Sequence, residues 1–159
     1  MESSSILPVA AFLSSRGIPH RIFQHTGPIH SLEQAASERG QRPEQVVRSI
    51  LFRLGEDQFL LALVAGPAQI PWGRLRRLLG QNRLTMANDE EVLRITGYRP
   101  GAVSPIGLAT PVRILADQRI FTEDEISLGS GVRGTAILLH PRDLLKAVPE
   151  IEILDLLQN

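Results

Sequence analysis

Cysteine is absent from this chain of 159 residues, which excludes disulfides, thiolate metal sites and a cysteine nucleophile. Net charge is missing too: 17 basic residues balance 17 acidic ones, so the overall charge selects no partner. Lysine is almost missing, since Lys146 stands alone among the basic residues and every other one is arginine. With so uniform a usage, one arginine by itself says little about bidentate recognition. Long apolar runs are lacking. Stretches such as Phe59 to Ala65 fall far short of the roughly 20 residues that span a bilayer. The opening Met1-Glu-Ser-Ser-Ser has no basic segment of the kind a secretory signal carries. No internal repeat, low-complexity segment or long linker is visible. The expectation is one soluble, cytoplasmic domain over residues 1–159, with no membrane partner.

Hydrophobic residues at 43% and charged residues at 21% describe an ordinary globular chain and exclude a disordered tail or a collagen-like fibre. A chain of this length buries roughly 70% of the surface its unfolded form exposes, enough for a core without staples. Charge is slightly uneven: residues 1–100 carry 12 basic and 9 acidic side chains, residues 101–159 carry 5 and 8. Between Pro71 and Arg83 lie Arg74, Arg76, Arg77 and Arg83 with no acid among them. That segment can hold phosphates, or it is simply a solvated helix face.

The pattern predicts a first helix capped by Ser4 or Ser5 and stopped at Gly17, then a strand over 20–24. Ser31 and Gln34 have capping-box spacing at the start of a second helix that Gly40 ends. Pro43-Glu-Gln suggests a single turn. Val47 to Leu54 and Gln58 to Val64 read as a hairpin, the second run apolar enough to be central and covered on both faces. Pro71 opens a third helix stopped by Gly80, a short strand spans 84–87, and Asn88 with Glu91 caps a fourth helix closed by Gly97. Strands are expected over 111–116, 125–128 and 134–139. Pro141 opens a last helix, and an apolar tail over 151–157 follows. Interleaved helices and strands with at least one hairpin predict a mixed sheet.

Gly129-Ser-Gly-Val-Arg-Gly134 matches G-x-G-x-x-G, but a dinucleotide site needs a helix directly after it, and Thr135 to Leu139 has strand composition. An oxidoreductase reading therefore depends on a helix that the residues do not favour; a glycine-rich turn between strands fits better. His20, His25 and His30 recur at intervals of five, a spacing that suits neither a helical nor a strand metal pair. No H-E-x-x-H or G-x-S-x-G run occurs, and no metal is expected. Gly97 to Gly107 is the most unusual segment, with glycines for close backbone approach and prolines for stiffness.

Taken in order, the His25 loop, the Ser31-Leu-Glu-Gln-Ala-Ala helix, Glu44-Gln-Val-Val-Arg-Ser-Ile-Leu-Phe, Met86-Ala-Asn-Asp-Glu-Glu-Val, Thr96-Gly-Tyr-Arg-Pro-Gly-Ala-Val-Ser-Pro-Ile-Gly and Gly129-Ser-Gly-Val-Arg-Gly before Pro141-Arg-Asp-Leu resemble the YbaK/ProX family of aminoacyl-tRNA deacylases. That family is related to the editing domain inserted in bacterial prolyl-tRNA synthetases, and the resemblance covers about residues 6–148. The family's G-x-x-x-P motif lies at Gly101 to Pro105. The resemblance implies an α/β fold with a mixed, curved or barrel-like β-sheet surrounded by helices. It also implies hydrolysis of the ester joining a wrong, small amino acid to a tRNA such as that for proline, without a cofactor. The implied partners are aminoacyl-tRNA and prolyl-tRNA synthetase.

On that resemblance the reaction centre comprises Arg48, Gly101, Ser104 and Pro105. Ser130 and Gly131 border the pocket, His25 or Ser31 closes it, and Arg74, Arg76 and Arg77 offer a tRNA surface. An aminoacyl ester is already activated, so positioned water and fixed N–H donors suffice without a protein nucleophile. One departure stands out: the family usually has lysine where this chain has Arg48. Arginine replaces a lysine that acts as a cation, but not one that must lose a proton. A non-catalytic RNA- or nucleotide-binding module on the same fold is therefore the rival expectation.

Overall fold

A computed structural model describes residues 7–158. In chain order these form α1 (Pro8–Ser15), β1 (Arg21–Gln24), α2 (Leu32–Glu38), β2 (Val47–Gly55), β3 (Gln58–Ala65), α3 (Trp72–Leu79), β4 (Thr85–Met86), α4 (Asp89–Thr96), β5 (Arg113–Asp117), β6 (Ile126–Gly129), β7 (Thr135–Leu139), α5 (Pro141–Ala147) and β8 (Glu152–Leu154). Short 3-10 turns lie at Pro43–Gln45 and Gln118–Thr122.

The strands form a mixed five-stranded sheet, ordered β4-β2-β3-β5-β8, and a three-stranded antiparallel sheet, ordered β1-β7-β6. In the larger sheet β2 pairs antiparallel with β3 and β4, whereas β3–β5 and β5–β8 are parallel. An isolated parallel bridge between Val46 and Ser127 links the two sheets at the start of β2. The mixed α/β class is as expected, but the strands divide into two sheets and do not close into a barrel.

β3 explains the architecture. Side chains alternate across a strand, so an apolar residue at every position from Phe59 to Ala65 requires two covered faces. Phe59, Leu61 and Leu63 join Val9 and Leu13 of α1, Ile114 of β5 and Ile137 of β7 in the larger core. Leu60, Ala62 and Val64 face the other way, against Leu75 of α3, Leu115 and Leu156.

Helix ends follow their local chemistry with two exceptions. Asn88 and Glu91 form the full reciprocal box at α4, and Gly80 and Gly97 end α3 and α4 in the left-handed conformation. At α2 the box is shifted. Ser31 accepts from the Gln34 amide at 2.9 Å, but the Gln34 side chain accepts from the His30 amide. At α1 the expected caps, Ser4 and Ser5, lie outside the described residues. The residue that precedes Pro8 is Leu7, whose side chain caps nothing.

The apolar tail is a strand, which periodicity alone does not show. Asp117, with a side chain of zero exposure, holds it in place. Its carboxylate accepts from the Leu156 amide at 2.9 Å, the Arg119 amide at 3.1 Å and Arg119 Nη1 at 2.9 Å. Arg113 forks onto both oxygens of Glu152 at 2.7 and 2.9 Å, tying β5 to β8 at the surface and holding the Glu152 carboxyl below its ordinary value.

Asp117→Ala leaves buried donors unpaired and is expected to cost about 2–4 kcal/mol in urea unfolding. An unchanged unfolding midpoint contradicts this anchoring role. The Glu152 carboxyl titrates lower folded than unfolded, so its contribution is complete above the ordinary value of 4.5 and is lost as pH falls through the depressed value. The difference in urea midpoint between wild type and Glu152→Gln is therefore expected to shrink steadily below that pH.

Candidate active site

Where the two sheets meet, the chain leaves a cavity of about 240 Å³. Its walls come from five places: Arg39 after α2, Val46 to Ser49 entering β2, Gly101 and Val103 of the loop after α4, Leu128 and Gly129 ending β6, and Thr135 opening β7. No wall residue is acidic. The volume lies below the roughly 300–1,000 Å³ of a drug-sized site, so it suits a small acyl group or a phosphate.

The loop over 97–107 is braced from within. The Tyr98 hydroxyl donates to the Ile106 carbonyl at 2.5 Å, and Ser104 Oγ accepts from the Ile106 amide at 3.1 Å. Burial pushes the Tyr98 phenol up, which keeps this donor protonated. From outside, the Gly131 amide donates to the Ala102 carbonyl at 3.0 Å and Arg133 Nε to the Pro100 carbonyl at 2.9 Å. Gly129 permits the closest approach: a Cβ there falls 2.0 Å from the Val103 oxygen. A Cβ on Gly131 meets Pro8 and Tyr98 within 3 Å. The braced loop leaves the amides of Gly101 and Val103 without a hydrogen-bond acceptor among the described residues.

Arg48 is fixed by main chain. Its Nε donates to the Gly66 carbonyl at 2.8 Å and its Nη2 to the Ala68 carbonyl, while Nη1 has no partner among the described residues. Burial pushes its guanidinium below the ordinary value, yet arginine starts so high that it stays a cation at working pH. Arg48 thus lines the same cavity as Gly101 and Val103 of the loop.

The other anticipated residues are placed as follows. His25 is buried behind the wall: its Nε2 accepts from Arg39 Nε at 3.1 Å, so Nδ1 carries the hydrogen and donates to Glu38 Oε1 at 2.6 Å. That bond, and one from Gln34, hold Glu38 below its ordinary value. Ser31 is the exposed cap of α2. Ser104 has no exposed surface, and Pro105 faces a separate hollow of about 440 Å³ with Phe12 and Val148. Ser130 is fully buried, exchanging hydrogen bonds with Val132 and Thr135, and the neighbouring Gly131 amide bonds the loop at Ala102; neither residue lines the cavity. Arg76 and Arg77 line a groove on α3 with Gln81 and Asn82, and Arg74 Nε donates to the Asp155 carbonyl. β7 directly follows Gly134, so the glycine run opens a strand and the dinucleotide reading ends. Among the described residues no three His, Asp or Glu side chains are grouped to hold a metal.

Sequence reasoning missed Arg39, Ser49, Val103 and Thr135. Arg39 and Ser49 carry no local motif; only the meeting of α2, β2 and β6 brings them to one wall.

The fold and site define a small α/β unit with a cavity lined by two arginines and no acid. Residues 26–147 match the aminoacyl-tRNA editing domain, and the chain belongs to that family. It is 31% identical over 106 residues to proline–tRNA ligase of Trichlorobacter lovleyi, covering 67% of this chain and 18% of the ligase. With proline–tRNA ligase of Aquifex aeolicus it shares 24% identity over 119 residues, 75% of this chain and 19% of the ligase. The chain thus spans less than a fifth of these curated relatives. A crystal structure of a protein proposed to be a trans-editing enzyme for prolyl-tRNA synthetase superposes with a TM-score of 0.84 at 27% identity, covering 97% of this chain and 99% of that one. A hypothetical protein of known structure shares the fold, with a TM-score of 0.81 at 20% identity over 91% of this chain and 96% of its own.

Gly129→Ala forces the 101–105 loop off β6 and is expected to destabilise by about 1–3 kcal/mol, with large shifts of the Gly101 and Val103 amide resonances. Gly55→Ala, where a Cβ meets nothing within 4 Å, is the control. Resonances that stay in place in Gly129→Ala contradict the seating of the loop.

Proposed function

We propose that this chain is a free-standing aminoacyl-tRNA deacylase that hydrolyses the ester of a small, wrongly attached amino acid on a tRNA such as that for proline. The observation that carries the proposal is that Arg48 and the loop residues Gly101 and Val103 line one small cavity, in a chain of the editing family. The unpartnered amides of Gly101 and Val103 are suited to receive a developing oxyanion, because fixed donors need no reorganisation as charge appears. Arg48 holds the ribose or terminal phosphate. Water adds to the carbonyl carbon; the ester bond then breaks, and the ribose oxygen leaves with a proton. The proton acceptor is supplied by substrate or solvent, since Arg48 cannot take that role. The cavity selects by size, admitting a small side chain and refusing a larger correct one.

The grooved arginine face of α3 contributes phosphate contacts to the tRNA body, and prolyl-tRNA synthetase is the protein partner that releases such substrates. Among the described residues no helix is long and apolar enough to cross a membrane. We place the protein in the cytoplasm, where tRNA is charged. One observation favours a second reading, a module that binds without cleaving: Arg48 stands where the resembling family usually has lysine.

A panel of charged tRNAs separates the two. Loss of the amino acid is expected from wild type; retention with measurable binding supports the module. Arg48→Ala is expected to lose about 10²–10³-fold in turnover while melting normally, as removal of a preorganised cation does. Full activity in a folded Arg48→Ala removes that residue from the site.

A further inference from the structure

A second arginine lines the cavity. Arg39 lines it beside Arg48, and no wall residue balances the two charges. Two of the three Arg39 nitrogens are already engaged. Nε donates to His25 Nε2 at 3.1 Å, and Nη1 donates to Ser127 Oγ at 2.9 Å. Both anchors are themselves held. His25 is backed by Glu38, and Ser127, with no exposed surface, donates to Gln41 Oε1 at 2.7 Å. Gln41 in turn donates to Glu125 at 3.1 Å.

Nη2 of Arg39 has no partner among the described residues, and neither has the buried Oγ of Ser49 on the same wall. A fork clamped at two nitrogens has given up its rotamer freedom before any ligand arrives, so little ordering is left for binding to cost. Burial depresses the guanidinium, and the charge of Glu38 beyond His25 opposes that shift. Desolvated cations in a cavity without carboxylates are satisfied by an anion that bridges them.

We propose that Arg39 and Arg48 form a two-guanidinium oxyanion site, with Arg39 held in place by the buried His25, which the exposed Glu38 backs. The site deepens the deacylase reading and rests on it for the identity of the anion. That anion is either the phosphodiester of the terminal nucleotide or the oxyanion that develops on the ester. His25 is then a positioning residue, and the cation it positions touches the ligand.

The first experiment needs no catalysis. Inorganic phosphate is titrated into the full chain while the arginine Nε–H resonances are followed. The Arg39 and Arg48 signals are expected to move together with one dissociation constant, and Arg39→Gln to weaken that binding at least about tenfold, as loss of a charge-assisted pair does. His25→Asn is expected to broaden the Arg39 signal and weaken phosphate binding, an effect that a merely structural histidine does not produce in a variant that melts normally. An Arg39 signal unmoved by phosphate overturns the site, and wild type alone decides this if Arg39→Gln does not fold. The second experiment uses a charged tRNA that wild type cleaves. A raised KM in Arg39→Gln assigns the terminal phosphodiester, a kcat lowered by about 10²–10³ assigns the ester oxyanion, and no change in either overturns the proposal. If wild type cleaves no charged tRNA, the deacylase reading fails while the phosphate titration still decides the site.

Discussion

The closeness of Gly129 to the Val103 carbonyl is the constraint on which the site depends. β6 ends where the loop after α4 crosses it, and the two backbones meet with no room for a side chain between them. Gly129 has no positive φ, so the need there is for space rather than for an unusual backbone conformation. Because the loop rests on the end of a buried strand, its position is that of the sheet. Tyr98, Ser104 and Gly131 then bond its turns to one another and to the strand, while the amides of the cavity-lining Gly101 and Val103 stay without an acceptor among the described residues. A loop anchored in this way can offer backbone dipoles at fixed positions, which catalysis by electrostatic preorganisation requires.

Opposite the loop, the charges are fixed by a different means. Arg48 is held by carbonyls that carry no net charge, so it keeps its full field toward the cavity. Arg39 is held by a neutral histidine, and the balancing carboxylate lies on the far side of that ring. Glu38 therefore compensates Arg39 without occupying its ligand-facing side. A carboxylate bonded directly to either guanidinium fork offers the same acceptor atoms as the substrate and competes for the same donors. The beginning of β2 meets β6 at the Val46–Ser127 bridge between the sheets, and Arg39, just after α2, bonds the side chain of the same Ser127, so a cation from each element reaches a common wall.

Much of this was legible in the residues. An unbroken apolar run marked β3 as a strand covered on both faces, and asparagine, glutamate and glycine marked both ends of α4. The composition of Thr135 to Leu139 identified the glycine run as a turn into a strand. The crowded glycines and prolines of 97–107 pointed to an irregular loop, and Gly101 and Val103 of that loop line the cavity with Arg48. What the sequence hid was the division of labour within the loop. Gly101 faces the cavity, but Ser104 and Pro105 turn inward, because a tight bend must bury something and a serine can satisfy its own turn. Arg39 was hidden for another reason: its partners lie 14 and 88 residues away, beyond any periodicity. β8 was equally obscure, because its place is set by Asp117, a side chain remote in sequence.

Arginine at position 48 narrows the chemistry. A lysine ammonium desolvated beside a second cation is driven toward neutrality and can trade a proton with a substrate. A guanidinium in the same surroundings stays charged. The cavity therefore holds a permanent positive field, and no wall residue is a base of suitable strength. On the proposed deacylase reading, such a site lowers the barrier where negative charge grows and leaves proton transfer to water or to the ribose hydroxyl beside the ester. This division suits an activated ester, whose hydrolysis is limited more by stabilising the addition step than by a poor leaving group. On the same proposed reading the substrate carries the proton, and the protein needs only position, exclusion and charge, which two arginines among glycine, serine, threonine and aliphatic wall residues can supply.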